Sequence, residues 1–196
     1  MNREEKKRET RKRIMEAAVK LFSDQGYDST TVAQITEKAG VGKGTFFNYF
    51  NSKEEIMCDL QGFWAVDEIM KLREHHGPYV PVIKELMMEL IRRMQLNRPL
   101  ANAMLTGMLS SPINLANQND ILQSVYEAAA PVIRLAQDRG ELSRALSPQA
   151  IVEQIVQSFF GSMLFWCMEQ GEEQLEAQMR VTMEVTLAGL APQEEI

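Results

Sequence analysis

Thr30-Thr31-Val32-Ala33-Gln34-Ile35-Thr36-Glu37-Lys38-Ala39-Gly40-Val41-Gly42-Lys43-Gly44-Thr45-Phe46-Phe47-Asn48-Tyr49-Phe50, followed by Ser52-Lys53-Glu54-Glu55, decides the fold. Thr31 with Gln34 three places on has the pattern of a capping box, so a short helix starts there and ends at Ala39-Gly40. Gly40 suits the left-handed turn, and Val41 plugs the angle between two helices. Lys43 to Tyr49 then forms another very short helix. Ser52 with Glu55 signals a second capping box and a longer helix to about Glu74. Two short helices around a glycine turn make a helix-turn-helix, whose second helix is offered to the DNA major groove.

Upstream, Ile14, Ala17, Ala18, Leu21 and Phe22 recur at helical spacing, which predicts a helix over about 10–25 that stops at Gly26. Downstream, His75-His76-Gly77-Pro78 to Pro81 breaks the pattern. Helices are expected over about 81–97, 99–110, 118–139, 148–170 and 172–190, with Pro99 and Pro148 in first turns, Pro131 kinking a helix, and Gly140 and Gly171 at ends. No β alternation, repeat or low-complexity tract interrupts this, so the fold class is all-α. It divides into a helix-turn-helix domain over 1–55 and a helical domain over 56–196.

Composition narrows the function. Of the 196 residues 45% are apolar, and no apolar run reaches the roughly 20 residues of a membrane span. The first thirteen residues are charged and lack the apolar region of a secretory signal, and Cys58 and Cys167 read as free thiols, so a cytoplasmic protein is expected. Net charge is −6, yet residues 1–55 hold 11 Lys and Arg against 9 Asp and Glu, while 56–196 hold 10 against 18. The basic surplus therefore lies beside the reading helix, where phosphates would attract it. His75 and His76 read as solvated loop residues. No phosphate loop follows a strand, no cysteines have zinc-like spacing and no nucleophile elbow is present, so no catalytic residue, metal or cofactor is expected.

A helix as short as Lys43–Tyr49 cannot persist alone, so its residues divide between anchoring and reading. Phe46 and Phe50 share a face and should pack on Leu21, Phe22 and Ile35. Lys43 and Lys53 suit phosphates, as does the Tyr49 hydroxyl. Gly42 and Gly44 leave backbone amides bare toward phosphate oxygens. Thr45 and Asn48 suit base edges, with Asn favouring adenine, and Phe47 suits a thymine methyl.

Residues 10 to about 60 resemble the DNA-binding domain of the TetR family of bacterial transcriptional regulators. The likeness runs through Ile14, Ala17-Ala18, Leu21-Phe22, Gly26-Tyr27, Thr30-Thr31-Val32, Ile35, Ala39-Gly40-Val41, Lys43-Gly44-Thr45, Tyr49-Phe50 and Ser52-Lys53-Glu54. It covers about a quarter of the chain. It implies an all-helical homodimer, a C-terminal small-molecule pocket, and an inducer that changes the spacing of two DNA-reading heads. By matching position, the DNA contacts fall on Thr31, Lys43, Thr45, Phe47, Asn48, Tyr49 and Lys53. Gly42 stands where the family often has Ser, and Phe47 where it often has Tyr, which blurs which bases are read.

The acidic half holds 11 of the 13 methionines. Flexible thioethers fill gaps and also line adaptable pockets. Faces expected to converge on a pocket carry Phe63, Trp64, Met87, Met88, Leu90, Met104, Met108, Tyr126, Phe159 and Met163, a lining suited to a small apolar or aromatic effector. The helices around 151–170 and 172–190 are apolar over a wide stripe. Ile151, Ile155, Phe159, Met163, Leu175, Met179, Met183 and Leu187 are the candidate residues of a four-helix homodimer interface. The resulting expectation is a ligand-responsive regulator, a repressor on a palindromic double-stranded DNA operator, with no membrane role.

Overall fold

Ile14, Ala17 and Ala18 draw one face of the first helix, α1 (Arg3–Gln25), into a small N-terminal core. In the computed structural model the described residues are 3–94, 98–109, 112–169 and 174–192, and among them the chain forms helices and no strand. Helix α1 begins about two turns earlier than the apolar pattern indicates, because its charged first residues continue the helix; Thr10 Oγ1 donates to the Lys6 carbonyl one turn back. It ends where expected, at Gly26 with φ +84°.

Helix α2 (Val32–Ala39) starts with the expected capping box. The Gln34 N–H donates to Thr31 Oγ1, and Gln34 Oε1 accepts from the Thr31 N–H at 2.8 Å. Gly40, at φ +64°, turns the chain, and the N–H of Val41 closes back on the Thr36 carbonyl. Helix α3 (Lys43–Phe47) is two residues shorter than predicted, although the Phe50 N–H still donates to the Phe46 carbonyl and extends the turn. Phe46 and Phe50 are fully buried among Ile14, Ile35 and Ile56, with Leu21 and Phe22 against them.

Helix α4 (Lys53–Lys71), continued by a 3-10 turn over Leu72–Glu74, departs from the expected cap. Ser52 occupies the N-cap position without its side chain accepting a helix N–H, bonding the Glu54 carboxylate instead, and Glu55 Oε2 accepts the Asn51 N–H at 2.8 Å. Ile56 and Leu60 belong to the N-terminal core, whereas Val66 and Ile69 belong to the C-terminal one. The division expected between residues 55 and 56 thus falls inside one continuous helix.

The C-terminal region adds α5 (Tyr79–Met94), α6 (Arg98–Leu109), α7 (Pro112–Asp138), α8 (Pro148–Met168) and α9 (Leu175–Gly189). Helix α7 starts six residues earlier than predicted, at Pro112, a residue favoured in a first turn. The predicted ends at 97, 110 and 170, the predicted start at 172, Gly171 and the Cys58 side chain lie outside the described residues; Cys167 is a free thiol. Pro131 sits inside α7 and has no N–H for the Glu127 carbonyl; Arg73 Nη2 donates to that carbonyl at 3.3 Å. Glu141 Oε2 accepts the Tyr79 and Val80 amides and so caps α5 from a distant loop. By length and composition alone α8 is apolar enough to cross a membrane, but it packs against α6, α7 and α9 as a core helix.

The interface expected from α8 and α9 requires correction. Ile151, Ile155, Met163, Leu175, Met179, Met183 and Leu187 are buried in the chain's own core, and Phe159 is half-buried against it. They face one another because Ser158–Thr186 and Ser162–Thr182 hydroxyl bonds, at 3.0 and 3.2 Å, zip the small faces of the two helices together. A different stripe points outward: Leu164, Phe165 and Met168 on α8, Val181 and Val185 on α9. Phe165 is 59% and Val185 68% exposed.

Two outcomes test the N-terminal core. Phe46→Ala leaves a cavity in a fully buried site and should cost about 3–5 kcal/mol in urea denaturation. Burial, with the neighbouring Asp59 carboxylate, pushes the Glu55 carboxyl up to about 7, against the opposing pull of the Asn51 amide and Arg11. A raised carboxyl pKa means that the folded state holds the proton more tightly. Its stabilising effect is full below about pH 4.5 and is lost as pH rises toward about 7. Once solvent screening is allowed for, the loss is of order 1–2 kcal/mol. Hydrogen exchange of α2 and α3 amides at pH 5 and pH 8 should show this loss, and Glu55→Gln should remove the difference.

Candidate functional site

The short helix α3 is aimed by what lies behind it. Phe46 stacks edge-on against Phe47 at 5.3 Å and tilted on Phe50 at 5.8 Å, so one aromatic row runs from the core to the surface. Arg11 of α1 lies over the Phe50 ring at 4.8 Å and pairs directly with Asp59 of α4, whose carboxylate is buried. This ion pair ties α1, the end of α3 and α4 into one body. Losing one partner of a buried pair leaves the other charge uncompensated, so the clamp is costly to break.

On the outer face the sequence-predicted residues come together. Lys43 and Asn48 are exposed, Phe47 is 53% exposed, and Thr45 and Tyr49 are half-buried on the flanks of α3. Thr31 is exposed at the start of α2, although its hydroxyl already serves the capping box. Phe47 keeps its edge contact with Phe46 while half of its surface faces solvent, so its outer edge is free to meet an apolar group.

Lys53 behaves differently from expectation. Its Nζ donates to the Tyr27 carbonyl at 2.8 Å and the Thr30 carbonyl at 2.9 Å, and it lies 4.2 Å from the centre of the Tyr27 ring. The Tyr27 hydroxyl donates to Glu54 Oε1 at 2.7 Å. Lys53 thus braces the loop between α1 and α2 against the start of α4 and keeps Thr31 in place. Neither Lys53's charge nor its position after α3 reveals this, because the loop carbonyls converge only in three dimensions.

A second feature lies at the other end of α4. An apolar cavity of about 110 Å³ is lined by Gln61, Gly62, Ala65 and Ile69 of α4, Met87 and Leu90 of α5, Met108 of α6, Ile121, Leu122 and Val125 of α7, and Val156, Phe159, Phe160 and Met163 of α8, with Gln118. A neighbouring space of about 50 Å³ shares Ile69, Met87, Val125 and Val156 with it. Of the candidates read from sequence, Met87, Leu90, Met108, Phe159 and Met163 line the cavity.

Five candidates do not. Phe63 is 51% exposed in an outer groove between α1 and α4, beside Met15, Val19 and Leu60. Trp64 lies under the Arg93 guanidinium at 4.3 Å. Met88 and Met104 are fully buried away from the cavity, and Tyr126 packs on the core beside it. Helical geometry is the reason: Gln61, Ala65 and Ile69, spaced four apart, form the inward face of α4, and one or two residues' rotation of about 100° each carries Phe63 and Trp64 off it. That spacing is the signal a search for aromatic residues overlooks.

Gly62 in mid-helix also has a reason. A Cβ there would lie 2.5 Å from Ile121 Cγ2, so only glycine lets α7 approach α4 so closely. The helix gives up about 1 kcal/mol of propensity at that position.

Comparison with known proteins agrees with this geometry. The profile of the tetR family of bacterial regulatory proteins matches residues 14–59, the segment that builds α2, α3 and their supports. The regulator YuxN of Bacillus subtilis is 39% identical over 57 residues, a match covering 29% of this chain and 20% of YuxN. The transcriptional repressor DhaR of Mycobacterium sp. (strain GP1) is 25% identical over 191 residues, covering 90% of this chain and 92% of DhaR. Among solved structures, the Thermus thermophilus repressor FadR, in complex with lauroyl-CoA, superposes with a TM-score of 0.64 over 94% of this chain and 97% of its own, at 23% identity; that likeness shows the fold alone. Residues 14–59 thus carry the helix-turn-helix of the tetR family of bacterial regulatory proteins, and the chain as a whole is similar to transcriptional regulators with such a head and a helical C-terminal half.

Proposed function

We propose that the protein is a cytoplasmic repressor that binds a palindromic operator as a homodimer and leaves it when an apolar effector enters the C-terminal half. One observation carries the DNA reading: α3 and the turn after it hold Phe46 and Phe50 inside while Lys43, Thr45, Phe47, Asn48 and Tyr49 occupy the outer face and flanks. In the major groove Asn48 can take adenine and Phe47 a thymine methyl, with Lys43, Tyr49 and Thr31 left for phosphates. Lys53 sets the approach of the loop and adds positive charge without a free geometry of its own.

The homodimer reading is supported by the exposed side chains of Leu164, Phe165, Met168, Val181 and Val185, spaced i, i+1, i+4 on α8 and i, i+4 on α9. Five large exposed apolar side chains lie on two helices that pack on each other, where a two-fold partner would cover them with the same residues. Pairing also doubles the base contacts, which one five-residue helix cannot supply in number.

The effector reading rests on the cavity. At about 110 Å³ it is smaller than the roughly 300 Å³ at which pockets for drug-sized ligands begin, so an occupant of that size would part its walls. Helix α4 forms one wall and reaches the N-terminal core at its other end, so a ligand that moves it also moves α3. The lauroyl-CoA held by the Thermus FadR has an apolar acyl chain beside its charged coenzyme A part, and that chain supports an apolar group entering a protein of this fold.

Operator binding, measured by fluorescence anisotropy over 50–200 mM salt, should fall steeply with salt. Lys43→Ala should reduce the log–log slope by about 0.9 per half-site. Asn48→Ala should relax preference at one base per half-site by about 1–3 kcal/mol across an operator library, with folding stability unchanged. Binding that ignores salt, or a library profile identical to the native one, would refute the orientation of α3. In sedimentation experiments, Phe165→Asp combined with Val185→Asp should give monomers that retain helicity and lose operator affinity; a dimer persisting in that variant would place the interface elsewhere.

A further inference from the structure

The cavity contains an unmet chemical demand. Gln61 lines its α4 wall, and the side-chain Oε1 of Gln61 is fully buried with no hydrogen-bond partner among the described residues. The orientation of the amide is set by its other end: Nε2 donates to the thioether of Met57, one turn back on α4, at 3.8 Å. A thioether only accepts, so the NH2 belongs there and the carbonyl oxygen is left over. Around it Gly62, Ala65, Leu90, Met108, Leu122 and Phe159 have no side-chain proton to give, and the one other amide in the lining, Gln118, makes no hydrogen bond to it. Buried acceptors in native proteins are nearly always satisfied, and an exception next to a cavity needs a cause.

We propose that Gln61 is the specificity-determining residue of the cavity, and that its ligands are compact apolar molecules carrying a hydrogen-bond donor, a hydroxyl or N–H, which the Gln61 oxygen accepts. The inference rests on the reading of the cavity as the effector site and narrows it to a chemical class. A ligand body without a donor fills the same volume but leaves the oxygen unpaired. A ligand with a donor recovers a bond that the empty protein lacks, and sites built to pair a polar group discriminate strongly against analogues that lack it. The position adds a consequence. Gln61 lies two residues after Asp59, which holds Arg11, and directly before Gly62, which seats Ile121. A ligand anchored on Gln61 therefore grips α4 midway between its two packing partners.

Phenol and fluorobenzene form a matched pair of probes, nearly equal in size, of which only phenol donates. Both are titrated calorimetrically into the full-length native protein, Gln61→Leu and Gln61→Met, and entry is followed through the 13C-methyl NMR signals of Met87, Met108 and Met163. In the native protein the ratio of the two dissociation constants should favour phenol by about tenfold more than in either variant. Both variants should remain folded with unchanged or raised Tm, because each removes an unpaired oxygen. If both probes enter and perturb those methyl signals, but the ratio is the same in all three proteins, the role of Gln61 is overturned and the cavity reading stands. If neither probe perturbs the cavity methyls at millimolar concentration, the effector-site reading fails and the inference fails with it. If phenol binds while leaving those signals unmoved, its site is elsewhere and Gln61 has no part in it.

Discussion

A helix of five residues has too few internal hydrogen bonds to exist by itself, and the usefulness of this chain depends on overcoming that limit. The solution is burial from behind. Phe46 and Phe50 leave water completely, and each contributes on the order of 2–3 kcal/mol by the area it hides. Gly40 and the capping box at Thr31 fix the angle at which α2 hands the chain to α3, while Lys53 fastens the preceding loop. Each device constrains a different degree of freedom: depth, angle and loop position. The outer residues of α3 are thereby left free for the DNA contacts proposed for them.

The same logic explains why α4 is a single long helix rather than two. Its first turns close the N-terminal core through Ile56 and Leu60, and its later turns enter the C-terminal core through Val66 and Ile69. A break between them would decouple the two. The Arg11–Asp59 ion pair sits where these cores meet and makes α1 follow α4. As an isolated stabiliser a buried ion pair is weak, because desolvation offsets much of its attraction. As a directional link between two helices it is effective, since only one relative placement satisfies both charges.

Local chemistry was legible in the sequence; three-dimensional convergence was not. Thr31, Gln34 and Gly40 announce their roles because capping and left-handed turns act over three or four residues, and the structure reproduces those elements in order. The alternation of Phe46 and Phe50 with Phe47 and Asn48 is likewise readable from helical period. By contrast, α8 is apolar on more than one face, so periodicity alone cannot say which stripe turns inward. The hydroxyl pairs Ser158–Thr186 and Ser162–Thr182 decide that, and they become visible only once α9 is docked. Hence Met163 and Met183 lie in the core, and Phe165 and Val185 lie outside. The cavity was half found for the same reason. Methionine composition marked the region, but the lining face of α4 is set by Gln61, Gly62 and Ala65, small or polar residues that a search for bulky apolar groups passes over. Ser52 and Glu55 matched a capping box in spacing, yet the carboxylate reached Asn51, one residue further back.

These placements bear on how a molecule in the C-terminal half could alter what α3 does. A ligand need only favour one position of α4 over another by about 1–3 kcal/mol to change operator affinity five- to 150-fold. The structure offers two contacts that resist such movement. Gly62 lets Ile121 sit so close that a translation of α4 toward α7 meets hard repulsion, and the buried Arg11–Asp59 pair opposes any sliding of α4 past α1. Displacement is therefore easiest away from α7, the direction in which an occupied cavity would push. Because α1 is clamped to α4, the N-terminal core would move as a body and carry α3 with its internal packing intact. In a two-fold assembly such a shift changes the separation of two otherwise unaltered heads. Intact heads at the wrong spacing still attract phosphates, but they no longer fit both half-sites of one palindrome at once.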